Sequence, residues 1–271
     1  VSPIFAISLL IKAGNTTTTA YIVTGDTSGN LVFTSTTANT VTLTIPSTGG
    51  LKFPDGTTQT TAAASTVPNV TVYTSGSGTY TVPSGAKYLC VKMVGAGGGG
   101  AGGGYGAVIA TGGGAGSNST FGTSLLIATG GGGGSYAGAP GNGGVGGYGI
   151  INSPATGMTA YGSSAQAIGL INSGVLAGTV GGSSAFGGAG STTGSGNTPA
   201  YNGGGGSGGA STNTYNGAGG GGGGYVEAYI PTPSATYSYA VGTGGTAGNA
   251  GSNGNNGSAG GAGLIFITAY F

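Results

Sequence analysis

Apolar and polar positions alternate in short stretches along this chain, separated by turn residues and, beyond residue 94, by runs of glycine. Alternation at every second position marks a strand with one buried face. Within residues 1–66 it predicts short strands over 21–23, 30–34 and 40–45. The last of these puts Val41, Leu43 and Ile45 on one face, and Pro46 with Gly49 and Gly50 ends it. The opening run, residues 1–11, is apolar but shorter than the roughly 20 residues a membrane span needs. It has no leading basic region of the kind a signal peptide carries. It predicts a strand buried between subunits, in a chain cut from something longer.

From residue 67 onward, 70–74, 79–82, 87–94, 105–111 and 124–129 predict strands, with a turn at Pro83, Ser84 and Gly85. In 87–94, Leu89, Val91 and Met93 alternate with Tyr88, Cys90 and Lys92. Three more strands are predicted at 225–230, 235–241 and 264–270. The last is apolar at both alternating sets, as a strand covered on both faces is. Between these blocks lie the glycine tracts, at 95–104, 130–134, 143–149, 203–209 and 217–224. They follow no strict Gly-X-Y repeat, which excludes collagen. Isolated, such tracts are expected to be disordered, because glycine loses the most backbone freedom on folding. Several together can order as polyproline-II-type helices that hydrogen-bond to one another, since no side chain keeps them apart. The expected fold is all-β: a short β stalk over 1–66, then a glycine-rich β-sandwich head over 67–271. The head has packed polyglycine helices, distal loops at about 130–223 and no substantial α-helix.

Composition narrows the chemistry. The 271 residues include 70 glycines, no histidine, no arginine, four lysines and three carboxylates (Asp26, Asp55 and Glu227). General acid–base catalysis and nucleophile activation need a base beside the reacting group, and metal sites need clustered ligands. Seven scattered charges assemble none of these, so no enzyme, no metal site and no cofactor is expected. Nor is nucleic-acid binding, which needs a basic surface. The single cysteine, Cys90, excludes a disulfide framework and reads as a small buried hydrophobe. Gly95, Gly97 and Gly100 match the spacing of a dinucleotide fingerprint. However, Gly102–Gly104 would break the helix it requires, and no acid follows before Glu227. Gly205, Ser207 and Gly209 match the spacing of a nucleophile elbow without any histidine to serve it. Charged residues make up 3% of the chain, far below the roughly 25% of a soluble domain. So few surface charges suit a chain that works inside an assembly.

The order of several spaced elements resembles a known family. Residues 79–85 (TYTVPSG), 88–94 (YLCVKMV) and 95–100 (GAGGGG) are similar to the opening of a glycine-rich domain found in phage tail fibres. Residues 219–224, the strand after them, Gly242–Gly245 and the closing strand after Gly260–Gly263 resemble its end. In that family the glycine tracts are polyproline-II-type helices packed between β-sheets. Residues 51–63 (LKFPDGTTQTTAA) resemble a segment that precedes the distal domain of such fibres, and 25–33 resemble repeats in them. The resemblance implies a non-catalytic homotrimer in the virion that recognises and adsorbs to the host surface. The implied partners are other tail-fibre or baseplate proteins and a host glycan or outer-membrane protein.

Tyr136, Tyr148, Tyr161, Phe186, Tyr201 and Tyr215 lie in or beside the glycine-rich part. They are candidate receptor contacts, because aromatic side chains on loops of a rigid scaffold give large contact area with few rotors. Equally, each can cover the edge of a glycine bundle. Two other functions stay open at this level. One is a purely structural decoration, head fibre or filament subunit without receptor binding. The other is an ice-binding bundle, which the irregular tract spacing disfavours.

Overall fold

The structure is a computed structural model. It describes residues 11–12, 20–25, 28, 30–35, 41–45, 50–53, 55–59, 67–104, 106–136, 141–167, 178–193, 196–197, 200–211 and 215–271. The expected opening strand lies almost wholly outside the described residues. Two compact units divide the chain, Val1–Ser65 and Thr66–Phe271.

In the first unit, β1 (Ile11–Lys12), β2 (Ala20–Gly25), β3 (Leu31–Ser35), β4 (Val41–Ile45), β5 (Leu51–Lys52) and β6 (Thr58–Gln59) form one antiparallel meander in chain order. The β3–β4 register shifts between Phe33 and Thr34, a bulge that adds local twist. The β5–β6 turn is locked by Asp55. Its Oδ1 accepts from the Thr57 N–H at 2.9 Å and from Thr57 Oγ1 at 2.6 Å. These bonds hold the Asp55 carboxyl below its usual range. Gly56 takes φ 88° in the same turn, a conformation open to glycine.

The second unit begins with β7 (Asn69–Tyr73), β8 (Ser77–Thr81), β9 (Tyr88–Val94), β10 (Ser119–Phe121) and β11 (Leu126–Ala128). It continues with β12 (Gly149–Ile151), β13 (Thr156–Ala160), β14 (Thr192–Thr193), β15 (Gly196–Asn197), β16 (Tyr225–Ile230), β17 (Thr236–Ala240) and β18 (Leu264–Tyr270). No helix occurs among the described residues. Two five-stranded antiparallel sheets, β12-β11-β10-β17-β8 and β13-β16-β9-β18-β7, form a sandwich, and β14 pairs only with β15. The alternation in β9 reads as expected: Leu89, Val91 and Met93 are fully buried. They pack with Val226, Ala228 and Ile230 of β16 and Ile265, Ile267 and Ala269 of β18. Phe121, Leu126 and Tyr80 face them from the other sheet. Tyr237 stacks on Phe121 with ring centroids 4.8 Å apart, and Tyr239 on Tyr73 at 3.8 Å. Residues 105–111 depart from expectation: no strand forms over 106–111, and Tyr105 lies outside the described residues. Their apolar run has no strand beside it to pair with and serves as a connection between two tracts.

The glycine tracts follow directly from strand ends and hydrogen-bond to one another. The tract leaving β9 shows the rule. Its N–H groups at Gly95, Gly98, Ala101 and Gly104 donate to the carbonyls of Gly224, Gly221, Ala218 and Tyr215. Those at Ala96, Gly99 and Gly102 donate to Ser117, Gly114 and Thr111. The remaining three, at Gly97, Gly100 and Gly103, donate to Gly261, Ser258 and Asn255. Each neighbour is met again after three residues, which is the repeat of a polyproline-II helix. Partner numbers fall as the tract's rise, so these three neighbours run antiparallel. Three more run parallel and donate to it: Gly131 and Gly134 to Ala96 and Gly99, Gly206 and Gly209 to Gly98 and Ala101, and Gly245, Gly248 and Gly251 to Gly97, Gly100 and Gly103. One helix is thus ringed by six others. The tract over 216–224 is likewise fully buried, as are 95–104 and 203–211. Both directions occur, whereas the family resemblance implied a layer packed between sheets. Here the bundle continues the sandwich end-on, because its neighbours are other tracts and not sheet faces.

Close approach explains the glycines. A Cβ on Gly98 would overlap the Gly132 carbonyl, one on Gly100 that of Ser207, and one on Gly220 that of Gly98. In the outer tracts only every third residue is buried: Gly141, Gly144 and Gly147 in one, and Gly242, Gly245 and Gly248 in another. Side chains appear at intervening positions that face outward, such as Asn142, Val145 and Tyr148.

Candidate binding surfaces

Alternating direction gathers the connections of the bundle at one end. A tract leaves the sandwich and its neighbour returns, so Gly95 lies beside Gly224 at the sandwich and Gly104 beside Tyr215 at the far end. The described part of the connection after Gly104 exposes Val108 and Ile109, at 59% and 65%. It is pinned reciprocally: Val108 N–H donates to Ser252 Oγ and Ser252 N–H to the Val108 carbonyl, both at 3.0 Å. Tyr136 and Tyr215 stand at this same end, half-buried. The sequence pattern predicts a strand at these two exposed apolar residues. What marks them as a tip is the glycine tract on each side of them.

The other four candidate aromatics lie at the sandwich end. Tyr148 and the 80%-exposed Tyr161 approach with ring centroids 6.2 Å apart. Phe186 and Tyr201 sit on neighbouring turns, joined where Ser184 Oγ donates to the Asn202 carbonyl at 2.5 Å. The turn at Tyr201 is closed by the Gly204 N–H bonding to the Tyr201 carbonyl at 2.9 Å, and Asn202 and Gly203 have φ 44° and 82°. Asn-Gly is the pair best able to adopt two such positive values. Phe186 meets the ring of Tyr225 edge-on at 5.4 Å. The candidates therefore form a distal pair and two groups beside the sheets, not one site.

The second sheet carries a polar cluster on its outer side. Lys92 on β9 and Glu227 on β16 are cross-strand partners, and Nζ lies 3.1 Å from Oε1. Tyr225 Oη donates to Glu227 Oε2 at 2.9 Å. The bonds from Tyr225 and Lys92 hold the Glu227 carboxyl below its usual range. Burial, then the bond to Glu227, pushes the Tyr225 phenol up, and Glu227 raises Lys92. A carboxylate committed in this way to a cation and a phenol is an acceptor of hydrogen bonds at rest, not a poised base. Cys90 beside it is pushed up by burial and so kept as a thiol. Among the described residues no three His, Cys, Asp or Glu side chains come together as metal ligands. Ser207, at the centre of the elbow-like spacing, is fully buried inside the bundle and bonds to Ser258 Oγ at 2.9 Å.

A family model described as a glycine-rich domain matches residues 200–270. That stretch holds β16, β17, β18 and the tracts between and before them. No curated protein sequence and no solved structure matches the chain.

Proposed function

We propose that this chain is the distal part of a phage tail fibre, a non-catalytic homotrimer in which the glycine-rich unit recognises the host surface. The observation behind this reading is the gathering of tract connections at the far end of a rigid, backbone-bonded bundle. Loops on such a scaffold can vary without disturbing the fold, which suits recognition. The expected ligand is a host glycan or outer-membrane protein, met first by the distal connections around Val108, Ile109, Tyr136 and Tyr215. The groups at Tyr148, Tyr161, Phe186 and Tyr201 flank the sandwich and are secondary contacts in this reading.

The test is binding of the labelled chain to a panel of bacterial cells, and its competition with phage adsorption. Val108→Asp with Ile109→Asp is expected to abolish binding without changing the far-ultraviolet circular dichroism. Unchanged binding of that variant would sink the assignment of the tip. Removing residues 150–200 as a block is not a usable test, because they include β13 and tracts that bond to the buried 216–224. A second reading, a purely structural decoration or filament subunit, is favoured by the exposed Met158, Tyr229, Tyr88, Val70 and Val72 on the outer face of the sheet β13-β16-β9-β18-β7. It predicts a chain that assembles but binds no cell.

A further inference from the structure

The outer face of β13-β16-β9-β18-β7 is stepped. Along β9 the outward positions are Tyr88, Cys90, Lys92 and Val94, alternating with the core set Leu89, Val91 and Met93. Tyr88 is exposed and Lys92 half-buried, yet Val94 is fully buried. Two turns roof it. A Cβ on Gly203 would lie 2.8 Å from Val94 Cγ2 and 3.3 Å from Ser184 Cβ, so both turns stand on the sheet at its bundle end. The bond from Ser184 Oγ to the Asn202 carbonyl ties them together, and each carries an exposed ring, Phe186 or Tyr201. They form a lip, and the next row of the sheet is the floor below it. That row reads Met158, Glu227, Lys92, Phe266 across four adjacent strands. Contacts run unbroken from lip to floor: Phe186 to the Tyr225 ring at 5.4 Å, Tyr225 Oη to Glu227 Oε2 at 2.9 Å, and Lys92 Nζ to Glu227 Oε1 at 3.1 Å. Tyr229, two residues further along β16, presents an exposed ring on the same floor.

The chemistry of this step selects a class of ligand. The rings offer flat apolar faces, and the ion pair between them offers donors and acceptors at fixed positions. Lys92 Nζ has three N–H groups and Glu227 takes one, while the carboxylate has room for more than the two bonds it accepts. The step as a whole is neutral. A ligand group of either sign would compete for one ion and leave the other unpaired, which is costly. An apolar protein surface would shut water away from both ions and give them no new partner. A hydroxyl both donates and accepts, so it joins Lys92 and Glu227 without parting them. A pyranose carries hydroxyls around its rim and C–H groups on its faces, and those C–H faces pack on aromatic rings. A few fixed polar groups among rings is the general make-up of a site for such a molecule. We infer that the step below Phe186 binds a neutral glycan, with one sugar stacked on an aromatic ring and its hydroxyls bridging Lys92 and Glu227. The inference is separate from the tip and holds whether or not the chain belongs to a virion.

The probe is an array of immobilised neutral and acidic bacterial polysaccharides, tested with the labelled full chain. Retention by neutral members is expected. Phe186→Ala removes the lip ring, and Lys92→Met with Glu227→Met makes the floor wholly apolar while keeping it neutral. Each should lower the affinity roughly tenfold or more, the scale of a hydrogen bond to a charged group. Ser238→Ala, on the outer side of the other sheet, should leave it unchanged. Cooperative urea unfolding shows that each variant is folded. Retention by acidic polysaccharides alone would overturn the inference, as would no retention at all. Undiminished binding by the Met–Met variant would also overturn it, because an apolar docking surface keeps its affinity when its charges go. Val108→Asp with Ile109→Asp separates the two sites: it should abolish cell binding yet leave array binding intact. Loss of both in that variant would move the glycan to the tip and overturn the step. Cell binding by a wild-type chain that no polysaccharide retains would sink this inference alone. Array binding by a wild-type chain that binds no cell would count against the proposed function and leave this site standing.

Discussion

The sandwich and the glycine bundle belong to one unit and share strand-derived chain directions, yet they are held together by opposite means. In the sandwich, side chains such as Phe121, Leu89 and Ile267 leave water completely and the backbone bonds lie within each sheet. In the bundle there is almost no side chain to bury. The backbone of 95–104 bonds outward to six neighbours, and its packing distance is set by the absence of Cβ. Apolar burial is non-directional and tolerates volume-conserving change. At the glycines of the backbone lattice whose added atom would meet a carbonyl that cannot turn away, no such change is tolerated, although Ala96, Ala101 and Ala218 hold a Cβ at other buried positions. One region is robust to substitution and the other is not, although both are equally buried.

The sharpest break of that comparison is a single methyl group in the bundle. Gly100→Ala and Gly220→Ala each drive Cβ into a backbone carbonyl, of Ser207 and of Gly98, with no flexible side chain to give way. A loss of more than about 4 kcal/mol is expected, a large part of the roughly 5–15 kcal/mol that stabilises an ordinary domain. The readout is loss of soluble, cooperatively unfolding protein. Gly188→Ala is the matched control: nothing stands within 4 Å of its Cβ, and the variant should be neutral or slightly stabilising.

Next comes the sandwich. Ile267→Ala removes a fully buried side chain from β18 and should cost about 2–5 kcal/mol, whereas Ile267→Val should cost about 0.5–1.5 kcal/mol. Denaturant midpoints measure both. The contrast lies in the gradation: the sandwich responds in proportion to atoms removed, the bundle all at once to an atom added.

A smaller effect probes the few polar side chains inside the bundle. Ser207 N–H donates to Ser258 Oγ at 2.7 Å, and both residues are buried. Ser258→Ala leaves that N–H without its acceptor and should cost about 1–3 kcal/mol. Ser258→Gly should cost as much, which would show that the hydroxyl and not the methylene matters there. A neutral Ser258→Ala would mean that the carbonyl lattice can absorb the stray donor.

The sandwich was legible in the sequence because period-two alternation is a side-chain signal. Leu89, Val91 and Met93 declare their shared face, and the turn at Gly85 (φ 87°) is readable from Pro83-Ser84-Gly85. The bundle was legible only as a possibility. Tract order is written in which carbonyl meets which N–H, and every glycine presents the same two groups. A trace does survive in the outer tracts. In 141–149 the side chains Asn142, Val145 and Tyr148 recur every third residue, as Thr243, Thr246, Asn249 and Ser252 do in the tract after β17. That local period of three separates outward from inward positions without any knowledge of neighbours. For the candidate site, aromatic identity alone could not separate Tyr136 and Tyr215 at the tip from Tyr148, Tyr161, Phe186 and Tyr201 beside the sandwich. Their position relative to the strand ends does so. Residues 105–111 misled because β-branched apolar residues suit a strand and a contact loop alike.

The smallest expected effect concerns the one ion pair described in the glycine-rich unit, where the sandwich meets its outer face. Glu227 is held below its ordinary range by Tyr225 and Lys92. A carboxyl depressed on folding contributes stability that is fully present above its unfolded value and is lost as pH falls through the folded one. Lys92 is raised by the same contact, so its share is present below its ordinary value and is lost as pH rises through the folded one. Both side chains remain partly open to water, so solvent screens the pair and its contribution is small. Urea midpoints of the wild type should therefore decline slightly below about pH 4, where ordinary glutamates protonate, and Glu227→Gln should flatten that decline. A decline of equal size in Glu227→Gln would assign the acid sensitivity to Asp55 or Asp26 in the first unit, leaving the glycine-rich unit indifferent to pH. Acid indifference of the bundle would itself follow from its construction, since a lattice of backbone amides has no group that titrates.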